Sequence, residues 1–227
     1  TPIYLDANLP YEVRLDDLMS RMTLDEKVYQ MNQFVGLDHM REAEKNLSLE
    51  DLHSNDAQGF YKGLFSDDVA QMTKEGKIGS FLHVLTTEEA NLLQELALQS
   101  PLKIPILIGI DAIHGNALVS GTTVYPSPIT LASTWSDSFL YDVGKQSAKE
   151  MRATGSHWAF TPNIDVLRDP RWGRVGETFG EDPYMVGNMG AAMINGFQQG
   201  DFSGPELVVS TFNEPAFLSY ETMVCST

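Results

Sequence analysis

Apolar positions along the chain predict short strands that alternate with helices. The predicted strands are compact, mostly apolar runs of the kind that are buried in parallel sheets: residues 77–82, 104–110, 157–161 and 207–211. The predicted helices between them show helical spacing, and two open on capping residues: residues 86–99, 136–155 and 184–198. This alternation predicts right-handed βαβ units and a parallel sheet, and therefore an α/β fold.

The number of predicted β/α units is consistent with two architectures. Four β/α units are half of a (β/α)8 TIM-type barrel, which usually needs about 250 residues. The chain has 227 residues, so we expect it to supply about the first four units. A small doubly wound sheet fits the same pattern, and spacing alone does not separate the two folds.

The residues before the regular pattern are predicted to be a separate lead-in. Residues 14–34 are predicted to be helical, and Thr23 with Glu26 forms a capping box that opens a second helix. Residues 36–66 are polar and weakly periodic, so we interpret them as a solvated surface loop with at most one short helix. The predicted division is a lead-in over residues 1–75 and the first half of a barrel over residues 76–227, with an atypical tail over 207–227.

Composition excludes several classes of function. Fifteen basic and 31 acidic residues give a net charge of −16, which repels nucleic acids and suits neutral ligands such as sugars. The single Cys225 excludes an internal disulfide and a four-cysteine metal site. No apolar run reaches 18 residues, so we predict no membrane span. The first residues lack the pattern of an export signal, which we expect to have been removed or never present.

Candidate chemistry lies where the predicted strands end, because parallel α/β folds place function at the carboxyl ends of strands. Asp111 follows the most apolar strand and could accept hydrogen bonds from two hydroxyls, although it could equally cap a turn. Residues 163–177 concentrate arginines, acids and a tryptophan, of which about half are expected to be structural ion pairs. Glu214 could act as a general acid or a nucleophile.

Metal and nucleotide sites are weaker interpretations of the same residues. His114 and His157, with Asp111 and Asp165, could be drawn as a metal site, but their spacing is loose. Gly173, Gly176 and Gly180 lack the strand, glycine turn and helix of a dinucleotide site. We therefore predict no metal and no cofactor.

Three long motifs, taken together, resemble family 3 glycoside hydrolases. They are residues 14–27, residues 109–115 with 123–126, and residues 169–174 with Glu177 and 180–183. The resemblance extends from residue 11 to about residue 200 and favours the barrel over the doubly wound sheet.

The resemblance implies a β-glucosidase-like enzyme that cleaves β-linked glucosyl residues by a retaining double displacement. By motif match, Asp111 and Arg174 would bind the sugar, and His114, Arg168 and Glu177 would orient them. Asp165 could belong to either group, and we interpret it as structural. The implied partner is a β-glucoside or oligosaccharide, and a periplasmic or secreted location goes with this interpretation.

The chain departs from the family near its end. The family has a Lys-His pair at the fourth predicted strand, and residues 207–217 contain neither residue type. The Asp-Trp segment of the nucleophile is absent, since the tryptophans are Trp135, Trp158 and Trp172. We therefore expect the nucleophile and the acid/base to lie outside this chain, with Glu214 as a weak candidate. The tail has three interpretations: an internal deletion, a reading-frame artefact, or an acid/base motif like that of family 1 β-glucosidases.

A rival hypothesis is a non-catalytic, sugar-binding barrel remnant, or a truncated chain, that keeps Asp111 and Arg174. Half a barrel leaves two open strand edges, and open edges pair readily with other chains. We therefore predict that the remainder of the barrel, or a partner chain, is needed to close the sheet.

Overall fold

A computed structural model describes residues 2–46, 48, 61, 63–199 and 208–210 of this chain. The chain divides into two compact units, one comprising Thr1–Val84 with Glu88–Leu107 and the other Leu85–Thr87 with Ile108–Thr227. Among the helices in the described ranges, none is both long enough and apolar enough to span a bilayer.

The elements of the first unit alternate between helices and parallel strands. In chain order they are α1 (Tyr11–Arg21), α2 (Leu24–Tyr29), β1 (Gln33–Val35), α3 (Leu37–Asn46), α4 (Ser66–Lys74), β2 (Ser80–Leu82) and α5 (Thr87–Ala97). β1 pairs with β2 in parallel, with Gln33 opposite Ser80 and Val35 opposite Leu82. The sequence-predicted boundary after residue 75 therefore falls between two paired strands of this unit.

The helical start of the chain is confirmed, and its predicted end is wrong. Thr23 Oγ1 accepts from the Glu26 N–H at 3.2 Å while Glu26 Oε2 accepts from the Thr23 N–H at 2.8 Å, which completes the predicted capping box. Residues 33–35 are not helical but form β1 and bury Phe34. Three residues are too few to show a strand period, so the sequence pattern missed the first strand.

Residues 36–66, predicted to be a solvated loop with at most one short helix, contain α3, and the expectation of a solvated stretch is wrong there because Leu37 and Met40 are fully buried. Glu89, which is itself buried, caps the start of this helix, because the Asp38 N–H donates to Glu89 Oε1 at 2.9 Å. Gly36 permits this contact, since a Cβ there would lie 2.8 Å from Glu89 Oε1. Residues 49–60 of the predicted loop lie outside the described ranges.

The second unit continues the same alternation. Its elements are β3 (Leu107–Ile110), α6 (Pro128–Ala132), α7 (Asp137–Ala153), β4 (Trp158–Ala159), α8 (Pro183–Gln198) and β5 (Val209–Ser210). β3 pairs with β4 and β4 pairs with β5, all in parallel, with Ile110 opposite Ala159 and Ala159 opposite Ser210. The predicted α/β fold with parallel strands is confirmed. The described ranges hold five strands where the sequence predicted four, because β1 was missed.

α7 and α8 pack together at backbone contact and form much of the core of this unit. A Cβ on Gly144 would lie 2.4 Å from the Met193 carbonyl oxygen, and one on Gly196 would lie 2.2 Å from the Tyr141 carbonyl oxygen. Side chains of both helices share one buried cluster with the strands, including Leu140, Met151, Met193 and Phe197. The Ser136 cap predicted for α7 is confirmed, since Ser136 Oγ accepts from the Phe139 N–H at 3.3 Å. This packing holds β3 and β4 in place and so fixes the loops that follow them.

Candidate functional site

The loop that follows β3 carries Asp111 and is held in shape by backbone contacts to Tyr125. The Tyr125 N–H donates to the His114 carbonyl at 2.9 Å, and His114 Nδ1 lies 3.0 Å from the Tyr125 carbonyl oxygen. Because a carbonyl only accepts, His114 Nδ1 carries the hydrogen of this contact. Gly115 has a φ of +73°, and a Cβ there would lie 2.6 Å from the Tyr125 ring. His114 therefore helps to hold the shape of this loop, and its predicted role in orienting the sugar-binding residues stays a prediction.

Hydrogen bonds to helix α7 and to the residue that follows it also hold this loop. The Thr123 N–H and Thr123 Oγ1 donate to the two Glu150 carboxylate oxygens at 3.0 and 2.7 Å. Asn116 Nδ2 donates to Thr154 Oγ1 at 3.0 Å. Burial raises the pKa of the Tyr125 phenol, and the negative charge of Glu150 raises it further. The loop that carries Asp111 is therefore tied to α7 at Thr123 and to the residue after α7 at Asn116.

The loop that follows β4 carries an ion pair between Arg174 and Glu177. Arg174 Nη2 and Nε donate to the same carboxylate oxygen, Glu177 Oε2, at 2.6 and 3.0 Å. Asn163 Nδ2 donates to that oxygen as well, at 2.8 Å. Glu177 lies on a 3-10 turn, Val175–Glu177, that packs against α6. One carboxylate oxygen therefore holds the Arg174 guanidinium in place.

Electrostatics link this pair to Asp111. The hydrogen bonds to Glu177 raise the pKa of Arg174, burial opposes this, and the charges of Glu177, Asp165 and Asp111 raise the pKa further. The guanidinium thus stays charged and lies within the field of Asp111. Asp111 and Arg174, the two residues predicted to bind sugar, both lie in the second unit, and Arg174 contacts Glu177 directly, while the charge of Asp111 has the smallest of the named effects on the pKa of Arg174.

Arg168 and Arg171 face the solvent in this structure. Arg171 is 89% exposed and pairs with Asp169, whose pKa it lowers chiefly through side-chain hydrogen bonds. Arg168 is also exposed, and within the described ranges no ion pair involves it. The structure does not bring Arg168 onto the Arg174–Glu177 pair, and its predicted orienting role stays a prediction.

His157, one of the residues considered as a metal ligand, makes a different contact in this structure. His157 Nδ1 accepts from the Ile108 N–H at 3.3 Å, and burial lowers the pKa of this ring, helped by the charge of Arg152. No three histidine, cysteine, aspartate or glutamate side chains in the described ranges come together in a way that could hold a metal ion. Glu214, the weak catalytic candidate, lies outside the described residues.

Asn163 is a site residue that the sequence analysis missed. Its side chain is 1% exposed and contacts the Glu177 carboxylate directly. An asparagine side chain is uncharged, so charge patterning along the sequence did not mark Asn163 as a candidate. The available signal was its position two residues before Asp165, directly beyond a predicted strand end.

The chain is similar in sequence to known glycoside hydrolases. The family model described as the glycosyl hydrolase family 3 N-terminal domain matches residues 23–212. A periplasmic β-glucosidase of Salmonella typhimurium is 32% identical over 184 residues, which are 80% of this chain and 20% of that protein. A β-xylosidase of Formosa agariphila is 39% identical over 129 residues, 54% of this chain and 18% of that protein.

A solved structure supports the fold. The β-glucosidase from Listeria innocua in complex with glucose has a TM-score of 0.68 and 31% identity, and the match covers 88% of this chain and 26% of that one. The chain thus spans about a quarter or less of the length of these relatives. The fold is a TIM-type α/β barrel domain, present here in part, and the chain belongs to glycosyl hydrolase family 3.

Proposed function

We propose that this chain is the sugar-binding part of a glycoside hydrolase that cleaves β-linked glucosyl residues. The observation that carries the proposal is the Arg174 guanidinium, held by Glu177 and lying in the field of Asp111 within a family 3 domain. The names of the Salmonella and Listeria relatives support glucose as the sugar. A neutral sugar also suits a chain with a net charge of −16.

The proposed roles follow from the hydrogen-bonding capacity of each group. A carboxylate accepts from several hydroxyls, so Asp111 binds two hydroxyls of the sugar. A guanidinium has five N–H groups, of which the Glu177 pair uses two, so three remain for other hydroxyls of the same ring. His114 and Glu177 orient these groups, and Arg168 is proposed to do the same.

The proposed reaction is a retaining double displacement. An aspartate attacks the anomeric carbon and forms a covalent glycosyl-enzyme, while a second carboxyl group protonates the departing oxygen. Water then releases the sugar with its original anomeric configuration. We place the nucleophile and the acid/base outside these 227 residues, because the sequence contains no Asp-Trp pair. A periplasmic or secreted location is part of the proposal and is supported by the Salmonella relative.

A second candidate function is sugar binding without hydrolysis. It is favoured by residues 207–217, which contain neither the lysine nor the histidine expected at this strand. A chain that keeps Asp111 and Arg174 but lacks these groups would bind a glucoside and leave it intact.

The test measures hydrolysis and its stereochemistry in the complete polypeptide that carries this domain. Aryl β-glucoside and aryl β-xyloside are supplied separately, the latter because of the Formosa relative. We expect faster release from the glucoside, with the β anomer of glucose as the first product in proton NMR. Initial α-glucose would overturn the retaining mechanism, faster xyloside cleavage would overturn the sugar assignment, and binding without hydrolysis would favour the second candidate.

A further inference from the structure

Glu177 Oε2 is a shared acceptor whose position depends on a buried amide. Three donors meet at this oxygen: Asn163 Nδ2 at 2.8 Å, and Nη2 and Nε of Arg174 at 2.6 and 3.0 Å. A carboxylate can only accept, so the Asn163 amide must present its NH2 group to Glu177. The orientation of this amide is therefore fixed by its partner.

Arg174 and Asn163, the two partners of Glu177, differ in burial. The side chains of Arg174 and Glu177 are 37% and 28% exposed and three residues apart on a short turn. Partly exposed pairs at this spacing contribute little on their own, because solvent competes for both groups and two long side chains must be ordered. Asn163 is almost fully buried and follows β4, so it supplies the rigid side of the arrangement.

The hydrogen bond to Glu177 is also the only one that the Asn163 side chain makes within the described ranges. Asn163 Oδ1 is buried and has no hydrogen-bond partner there. Removal of the amide therefore acts on Glu177 and, through Glu177, on Arg174.

We propose that Asn163 is a positioning residue that sets the direction of the Arg174 guanidinium by holding Glu177 Oε2 from the buried side. This inference rests on the proposed function for its catalytic consequence, since it assumes that Arg174 binds the sugar. Its structural part, the control of Arg174 by Asn163, can be measured without any substrate.

The first experiment follows the Arg174 Nε–H by 15N NMR in the complete polypeptide that carries this domain, at low temperature and without substrate. In the wild type this hydrogen is bonded to Glu177, so we expect slow exchange with water. In Asn163→Ala we expect exchange at least about tenfold faster, because loss of a charge-assisted hydrogen bond frees the carboxylate. Asn116→Ala is the matched control, since Asn116 is equally buried but donates to Thr154. Unchanged exchange in Asn163→Ala, or an equal change in Asn116→Ala, would overturn the proposal.

The second experiment is a double-mutant cycle on kcat/KM for an aryl β-glucoside in the complete polypeptide. Asn163→Ala should lower kcat/KM by about tenfold in the wild-type background and by less than about twofold when Arg174 is already alanine. Equal losses in both backgrounds would show that Asn163 acts independently of Arg174 and would overturn the proposal. If the wild type itself cleaves no glucoside, the proposed function fails, and the NMR exchange rates still decide the positioning role.

Asn163→Asp keeps the shape of the side chain and guards against an alanine variant that does not fold. Two carboxylates then face each other, which favours a shared proton. We expect activity relative to the wild type to be lower at high pH and to recover as the pH falls, because the introduced carboxyl group takes up a proton and its O–H again donates to Glu177. A ratio that is independent of pH would contradict the proposal.

Discussion

At the scale of the residue, Glu177 contributes more to the orientation of the Arg174 guanidinium than to the stability of the fold. A partly exposed pair three residues apart on a turn stabilises a fold by about 0.3–0.5 kcal/mol, which is a small fraction of the stability of a domain. The same pair uses two of the five N–H groups of Arg174 and leaves three for other partners, which under the proposed function are sugar hydroxyls. The effect of changing these residues should therefore appear in sugar binding and catalysis.

Arg174→Ala tests this directly in the complete polypeptide. We expect a loss of about 2–4 kcal/mol of transition-state binding, measured as kcat/KM for an aryl β-glucoside, because charge-assisted hydrogen bonds to the sugar disappear. The matched control is Arg171→Ala, since Arg171 is exposed and pairs with Asp169 instead. Full activity in Arg174→Ala, or an equal loss in Arg171→Ala, would remove Arg174 from the site.

A second prediction at the residue scale concerns Glu89 and the stability of the fold. Burial raises the pKa of this carboxyl above its ordinary value of 4.5. Ionising Glu89 therefore destabilises the folded chain at neutral pH, and this cost disappears as the pH falls toward 4.5 and below. In Glu89→Gln the side-chain oxygen can still accept from the Asp38 N–H, while the pH dependence is removed.

Urea unfolding of the wild type and Glu89→Gln at pH 5 and pH 7.5 measures this effect. The wild type should gain stability relative to the variant on acidification. Parallel changes of the two free energies of unfolding between these pH values would show that Glu89 does not carry this cost.

At the scale of the element, the contact between α7 and α8 decides how β3 and β4 are held. Gly144 and Gly196 allow each helix to touch the backbone of the other, with no side chain between them. Interiors are packed too densely to absorb an added methyl group at such a point without moving the helices. A shift of either helix would move the loop anchored on α7, which carries Asp111.

Gly144→Ala should therefore destabilise the chain by about 1–3 kcal/mol, since its Cβ would clash with the Met193 carbonyl. The matched control is Gly187→Ala on α8, where a Cβ meets nothing within 4 Å. Alanine there should be neutral or stabilise by up to about 1 kcal/mol. Thermal unfolding measures both, and equal melting temperatures for the two variants would refute the importance of this contact.

How far sequence predicts these elements depends on where their stabilising contacts lie. α2 and α7 were predicted because their caps, Thr23 and Ser136, are local. The position of α3 was not predicted, because its N-terminal cap is Glu89, which is 51 residues from Asp38 along the chain. β1 was missed because three residues show no period.

The candidate site was also predicted only where its residues stand in local sequence motifs. Asp111, Arg174 and Glu177 stand in recognisable motifs, and all three lie in the second unit. Asn163 could not be assigned a role, because its contact to Glu177 depends on how the loop after β4 folds back across 14 residues. Arg168 stands in the same motif but is exposed, which no spacing rule predicts.

At the scale of the whole molecule, the chain matches about a quarter or less of the length of its relatives. A closed barrel removes strand edges, whereas an incomplete one exposes them. We therefore predict that the isolated 227 residues are marginally stable and associate as their concentration rises. Calorimetry and sedimentation should show a broad transition below about 45 °C and species larger than the monomer. A sharp melt of a monomer at high temperature would contradict this prediction.

Binding of one sugar ring by both Asp111 and Arg174 underlies every functional proposal made for this chain, and an NMR titration measures it. The complete polypeptide that carries this domain, labelled with 15N and kept cold to slow turnover, is titrated with methyl β-D-glucoside. We expect saturable shifts in the loops after β3 and β4, and weaker binding in both Asp111→Asn and Arg174→Ala but not in Arg171→Ala. Absence of saturable shifts, or equal affinity in all four proteins, would show that these two residues do not form a sugar site.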